Sequence, residues 1–409
     1  MVKSLRANLL TSNHGQNFRL PRVIIHSTIP CKAPDFYYLI MTTFANHDLA
    51  PDYEFTNIKY ELKPLVLQDG TVVEDLFNAW IWLDNPDKYN SYTTRAIAEL
   101  VLALRRASSD PSVVCVVLTA VGDVAFCTGG NTEEYSEHYT GRPDEYRRYM
   151  RLFNDGISAL MACDKPVINR VNGMRIAGGQ ELGMACDFSV SADTARFGQA
   201  GPKHGSAPVG GSTDYLPEYV GYARAVESCA LCEQWSAHYA QHIGLLNGIA
   251  PVLKIDGKFI ANPMAYTEFV TDEYGRSLYG QFKTGDDRNA AKEILSKAEV
   301  DFTLLDKMVN EVCAKLAHTM PDCTVYTLEQ LRKHKLQHWD KNRESNRAWL
   351  GLNMMTEGRI GFRTFNRAPR AERETDFIEM RRALSQGVRY GDNLAERCAP
   401  HAVDRDDEK

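Results

Sequence analysis

Gly173-Met174-Arg175-Ile176-Ala177-Gly178-Gly179-Gln180-Glu181 is a glycine turn set between an apolar run, Pro166 to Val171, and a helix-like stretch, Gln180 to Cys186. A second turn, Phe126-Cys127-Thr128-Gly129-Gly130-Asn131, stands directly behind Val113 to Val121, whose density of β-branched residues reads as a buried strand. Glycine leaves room for a ligand to approach the backbone and lets N–H groups turn outward. Two such turns can aim a pair of N–H donors at one oxygen, which holds an oxyanion without side-chain chemistry. A third loop, rich in small residues, runs from Phe197 to Gly211.

Working outward, Asn57 to Leu67 alternates as a strand and Gln68-Asp69-Gly70 signals a turn. Ala79 to Leu83 is apolar until Asp84-Asn85-Pro86 breaks it, and a helix runs from about Tyr92 with Ile97, Leu100, Val101 and Leu104 at helical spacing. This alternation predicts an α/β layered fold, with residues 51–250 as its core; periodicity alone leaves a doubly wound sheet open. Asn131 to Met150 is polar and rich in tyrosine (Tyr135, Tyr139, Tyr146, Tyr149) and reads as a solvated helix with a loop. Ala223 to Ala250 reads as helical, with turn signals near Gln234 and Gly244. Residues 251–300, with Gly257, Asn262-Pro263, Tyr274-Gly275 and Gly285-Asp286, read as a loop-rich insertion. Residues 301–409 read as a helical region and tail, with Leu304, Leu305, Met308, Val312 and Leu316 on one apolar face and Trp349, Leu350 and Met354 on another. In residues 1–50 no acidic residue precedes Asp35, while Lys3, Arg6, Arg19, Arg22 and Lys32 are basic. That segment reads as a disordered or over-extended start, or as a transit peptide.

A net charge of −6 over 409 residues gives no electrostatic reason to expect a nucleic-acid partner. No apolar run approaches the roughly 18 residues of a membrane span, so no membrane partner is expected. Ten cysteines at irregular spacings, several inside apolar runs, read as reduced thiols of a cytoplasmic protein. Cys229-x-x-Cys232 and His238-x-x-x-His242 have the residue types of a zinc site, but only five residues separate the pairs, and no metal is expected. Arg332 to Lys341 is basic yet contains Asp340, and reads as a solvated helix face.

Asp84-Asn85-Pro86 with Asn90-Ser91-Tyr92, then Phe126-Cys127-Thr128-Gly129-Gly130, Asp164-Lys165-Pro166-Val167, Gly178-Gly179-Gln180-Glu181-Leu182 and Phe197-Gly198-Gln199 follow one another in an order that resembles the crotonase (enoyl-CoA hydratase/isomerase) superfamily. The resemblance implies a spiral of β-β-α repeats, with C-terminal helices that pack on a neighbouring subunit in a homotrimer or homohexamer. It implies that the N–H groups of Gly130 and Gly178 hold the oxygen of an acyl-CoA thioester, and that Glu181 is one of the catalytic glutamates. Lys88, Tyr89, Thr128, Gln199 and Ser206 are implied as substrate-binding, with Tyr135 and Tyr139 on a mobile flap over the acyl group. The second glutamate of hydratases falls at Gly201, and the aspartate of the naphthoyl-CoA synthase branch falls near Pro208; neither position carries a carboxyl here. His204, on the same loop, supplies an imidazole that works as acid or base near neutral pH.

From Leu76 through Arg367 the chain is most similar to a ring-opening branch of the family that hydrolyses cyclic enone acyl-CoA thioesters in anaerobic benzoate breakdown. That resemblance implies a cyclic acyl-CoA substrate, water addition followed by hydrolytic carbon–carbon cleavage, and no cofactor beyond the coenzyme A of the substrate. Three other readings stay open: a simple hydratase drawing its second carboxylate from Asp214 or Glu218, a ring-closing synthase, and a binding protein without turnover.

Overall fold

The computed structural model describes residues 52–404, which form one unit; the expectation for residues 1–50 lies outside the described residues. Its organising element is a six-stranded sheet built from β1 (Ile58–Val66), β2 (Val72–Leu83), β3 (Val113–Ala120), β5 (Val167–Val171), β7 (Phe188–Ala192) and β10 (Gly248–Ala250), in that spatial order. β1 and β2 form an antiparallel hairpin and every later pair is parallel. A smaller sheet holds β4 (Ala125–Cys127), β6 (Met174–Ile176), β8 (Arg196–Gly198) and β9 (Gln234–Ser236), the first three parallel. The chain alternates between sheets: β3 then β4, β5 then β6, β7 then β8, with helical segments closing each turn. This is the expected spiral of β-β-α repeats, and it places both glycine turns directly behind strands of the smaller sheet.

The large sheet is covered on both faces, which is why β3 reads as a continuous apolar run rather than an alternating one. Val116, Leu118 and Ala120 point into the main core, while Cys115 and Val117 point to the opposite face. There they meet Leu305, Val309 and Cys313 of the helix Thr303–Ala317. The inner face is covered by α1 (Thr94–Ser109), capped by the Thr93 hydroxyl on the Ala96 N–H at 3.2 Å, and by α2 (Pro143–Met161). Next along the chain come α3 (Gly178–Ala185) and α4 (Ser212–Val220). Residues 251–300 contain two short hairpins followed by the helix Gly285–Leu295.

Two expectations are corrected here. The segment from Asn131 to Met150 does not present its tyrosines to solvent: Tyr135, Tyr139, Tyr146 and Tyr149 are all buried, packed on one another at centroid distances of 5.0 to 6.2 Å. Four phenol rings bury large apolar area while the Tyr135 and Tyr149 hydroxyls pair with each other and that of Tyr139 with Thr94, so a stretch that scores as polar becomes core. Likewise Arg332 is not on a solvated face but 2 % exposed. It lies on α5 (Pro321–Asn353), a helix of 33 residues, and its guanidinium grips both oxygens of the buried Asp187 at 2.8 and 2.6 Å. It also donates to the carbonyls of Met161, Cys163 and Lys165.

Beyond α5, α6 (Glu357–Arg367) folds back against the small-residue loop. Gly205 and Gly361 make this possible: a Cβ on Gly205 would lie 2.0 Å from the Glu357 carbonyl oxygen, and one on Gly361 2.2 Å from that of His204. Removing one partner of a buried, hydrogen-bonded ion pair leaves an uncompensated charge, so Arg332→Ala should lose about 3–5 kcal/mol of stability. Urea denaturation measures this; a loss below about 0.5 kcal/mol, the range of ordinary surface substitutions, would show that the pair does not hold the helix.

Candidate active site

A cavity of about 760 Å³ opens where the two glycine turns, the small-residue loop and α6 converge. Both turn glycines line it, and both are glycine for want of room. A Cβ on Gly130 would lie 1.7 Å from the Tyr135 hydroxyl, and one on Gly178 would lie 1.9 Å from the Tyr92 hydroxyl. The turns lie close together, since a Cβ built on Gly129 would sit 3.1 Å from the nitrogen of Gly178. Tyr92 pairs with the first turn through its backbone, donating to the Gly129 carbonyl at 3.0 Å and accepting from the Asn131 N–H at 2.9 Å. That pairing turns the Gly130 N–H away from Tyr92. Gly178 begins α3, so its N–H is one of the helix's unmatched donors and stands at the positive end of the helix dipole. Neither N–H has an acceptor among the described residues. Proline at Gly178 would remove the donor, but its Cβ would also displace Tyr92, so it is no clean test of the N–H.

Glu181, one turn into α3, is buried against the cavity wall. Its Oε1 accepts from the N–H groups of Gly210 at 3.0 Å and Ser212 at 3.3 Å. Those two bonds favour the anion, but burial outweighs them and pushes the carboxyl up to about 8. Near neutral pH Glu181 therefore carries a proton, and with Oε1 occupied that proton belongs on Oε2. His204 is shifted in the opposite direction, although it too is held neutral: burial keeps its imidazole below the ordinary 6.5. Its Nδ1 lies 2.9 Å from the Ala200 carbonyl and donates to it, leaving Nε2 as an unprotonated acceptor. Phe365 of α6 packs edge-on against the ring at 4.8 Å. One cavity thus carries a protonated carboxyl and a neutral imidazole, a division that assigns acid and base roles to different groups.

Of the other residues expected to bind substrate, Lys88, Tyr89, Thr128, Tyr135, Gln199 and Ser206 all line the cavity. Lys88 is at its exposed mouth, paired with Glu133 at 3.2 Å, and Gln199 is buried with its amide on the Ala177 carbonyl. Tyr139 does not reach the cavity; it lies behind Tyr135 and its hydroxyl is 2.7 Å from that of Thr94. Gly201 and Pro208 are both on the wall, where a second carboxyl is wanting, but neither Asp214 nor Glu218 lines it. Asp214 is instead buried against Asn342 at 2.6 Å. Phe362, Phe365, Asn366 and Arg373 supply walls that the sequence did not signal, because they lie more than 150 residues downstream of the glycine turns. Tyr92 is also on the wall; its place inside the quoted Asn90-Ser91-Tyr92 was the available signal. Among the described residues no cluster of three or more His, Cys, Asp or Glu is placed to hold a metal, and no helix is long and apolar enough to cross a membrane.

The spiral of paired strands, with two unspent N–H groups beside a buried glutamate, is the architecture of enzymes that act on acyl-CoA thioesters. The chain belongs to the enoyl-CoA hydratase/isomerase family, whose model matches residues 79–268. It is 53% identical over 358 residues to the 6-oxocyclohex-1-ene-1-carbonyl-CoA hydrolase of Thauera aromatica, covering 87% of this chain and 95% of that protein. The protein of the same name from Geobacter metallireducens is 53% identical over 346 residues, covering 84% and 91%, and that from Syntrophus aciditrophicus 44% over 336, covering 80% and 87%. Among solved structures, an enoyl-CoA hydratase from Bacillus halodurans superposes with a TM-score of 0.55 at 16% identity, covering 74% of this chain and 97% of its own. One from Mycobacterium avium subsp. paratuberculosis gives 0.52 at 18%, covering 76% and 96%. These two establish the fold.

The buried glutamate makes stability depend on pH with a definite sign. In the folded chain Glu181 keeps its proton up to about 8, against an ordinary 4.5. The folded state therefore binds the extra proton between those values, so this contribution is whole below the lower one and is lost as pH rises to the upper. Urea titrations should show wild type losing more stability than Glu181→Gln between about pH 5 and pH 9, by at most about 5 kcal/mol. Equal losses would mean that the carboxyl ionises normally when folded.

Proposed function

We propose that this chain opens the ring of 6-oxocyclohex-1-ene-1-carbonyl-CoA in two steps, giving 3-hydroxypimeloyl-CoA. The substrate is supported by the name shared by its relatives, which it matches over nearly their whole length. The observation that carries the mechanism is the opposite protonation of Glu181 and His204 on the wall of one cavity that also presents two unpaired N–H groups.

In the first step water adds to the ring double bond. Electron density moves into the thioester, whose oxygen is held by the N–H groups of Gly130 and Gly178, and Glu181 delivers its proton to the α-carbon and takes back the one that the added water gives up. The product is a hydroxylated ring in which a ketone and the thioester flank the same carbon. In the second step His204 Nε2 takes a proton from a second water as it attacks the ring ketone. The bond between the ketone carbon and the α-carbon breaks, its electron pair passes into the same thioester enolate, and the His204 imidazolium returns its proton to the α-carbon to complete the opening. Two waters are consumed, and the reaction draws on no cofactor besides the coenzyme A already in the substrate.

In this reading Lys88 and Tyr89 meet the coenzyme A moiety and Thr128, Gln199 and Ser206 hold the acyl group, supported by their all lining the cavity. We further infer a homotrimer or homohexamer assembled through the C-terminal helices, where Tyr326, Leu331 and Leu352 of α5 leave apolar surface open, and residence in the cytoplasm.

Mass spectrometry after incubation with the cyclic enone thioester tests the whole scheme by its gain of two waters. His204→Ala should accumulate a species one water heavier than substrate, with cleavage slowed by about 10² to 10⁴. Glu181→Gln should instead leave unreacted substrate. Cleavage at the wild-type rate by His204→Ala would remove the imidazole from the mechanism, and robust hydration of crotonyl-CoA without ring opening would favour a simple hydratase.

A further inference from the structure

We propose that the Tyr92 hydroxyl is a catalytic donor to the ring ketone, a third hydrogen bond that serves the cleavage step and not the hydration step. The inference rests on the two-step reaction above, which develops negative charge on two different oxygens. The thioester oxygen is provided for by Gly130 and Gly178. The ring-ketone oxygen becomes an alkoxide when water adds to its carbon, and an alkoxide forming in a cavity shielded from bulk water needs a donor of its own. Ketone and thioester carbonyls flank one carbon, so a ring lying in the plane of the thioester sets the two oxygens side by side. The donor is thus required beside the glycine N–H pair.

Tyr92 stands there. Its hydroxyl lies against Gly178, where a Cβ would come within 1.9 Å of it, and its backbone is locked to Gly129 and Asn131 of the opposite turn. Its ring stacks on Phe153 with centroids 5.4 Å apart and planes inclined by 23°. One side chain therefore spans both halves of the oxyanion site in a fixed pose. The residue is 4 % exposed and lines the cavity, yet its hydroxyl has no acceptor among the described residues. Neighbouring phenols are already committed, Tyr135 to Tyr149 at 2.7 Å and Tyr139 to Thr94 at 2.7 Å. A sheltered hydroxyl without a partner is a donor awaiting an acceptor. Burial, foremost, raises the phenol well above 10, so it keeps its proton and acts by hydrogen bonding.

The step balances without further reactants. Water oxygen bonds to the ketone carbon and its proton passes to His204 Nε2. The ketone oxygen, charged and held by Tyr92, returns its pair as the carbon–carbon bond breaks. The tyrosine ends with the proton it began with.

The test feeds two substrates, the cyclic enone thioester and its mono-hydrated form, to wild type and to Tyr92→Phe, and follows each by mass. The variant should hydrate the enone at near the wild-type rate and cleave the hydrated ring more slowly by about 10² to 10³. If wild type opens neither compound, the functional reading fails and this inference with it. If wild type opens both and the variant cleaves the hydrated ring equally fast, only the role of Tyr92 is overturned. Loss of hydration and cleavage in equal measure also overturns it, placing the hydroxyl on the thioester oxygen or in the scaffold. Should the phenylalanine variant not fold, difluorotyrosine at position 92 keeps the shape and acidifies the phenol. Cleavage then gains a pH dependence that hydration lacks, and its absence counts against the proposal.

Discussion

The ion pair between Arg332 and Asp187 decides where everything after residue 320 lies. Asp187 follows α3 directly, and the carbonyls that Arg332 also engages end α2 and lead into β5. One guanidinium thus fastens α5 to three segments of the spiral at once. One turn further along, Lys335 donates to the carbonyls of Met184 and Cys186, at the negative end of the helix whose positive end is Gly178. From these anchors α5 runs on to Asn353, whose amide bonds the Gly205 carbonyl, and α6 then lays Phe362 and Phe365 into the cavity. Residues distant in sequence from the glycine turns complete the site because the charge pair aims the helix that carries them.

Within the cavity the same physical cause, exclusion of water, moves the proton affinities of Glu181 and His204 in opposite directions. A carboxyl out of water is held neutral by keeping a proton, and an imidazole out of water is held neutral by lacking one. No ion pair is needed to separate their roles. The backbone finishes the assignment, with two N–H groups on Glu181 Oε1 and one carbonyl on His204 Nδ1, so each side chain has a single atom left for chemistry.

Much of this was legible in the chain itself. β3 declares itself through β-branched density, and the two glycine turns through paired glycines set directly behind strand-like apolar runs. Glu181 was implied by the resemblance, at the position that matches a hydratase glutamate. Tyr135 and Tyr139 show where sequence reading reaches its limit: four residues apart on one segment, they were expected to share a wall, but only Tyr135 faces the cavity. Arg332 sat in a run of cations and read as surface, since its acidic partner lies 145 residues earlier. The walls from α6 were invisible because nothing local in Phe362 or Asn366 distinguishes a core contact from a ligand contact.

The turn that carries those tyrosines has one more implication. Residues Tyr135–Tyr139 form a π-helical turn, closed by the Thr140 N–H on the Tyr135 carbonyl five residues back. Such a turn holds one residue more than an α-helical one, and each helical residue turns the chain by about 100°. Deleting a single residue there would swing Tyr135 relative to Tyr146 and Tyr149 and break the packing from which the phenols derive their burial. Among natural variants of this protein, the length of that segment should therefore be guarded more strictly than the identity of its exposed residues.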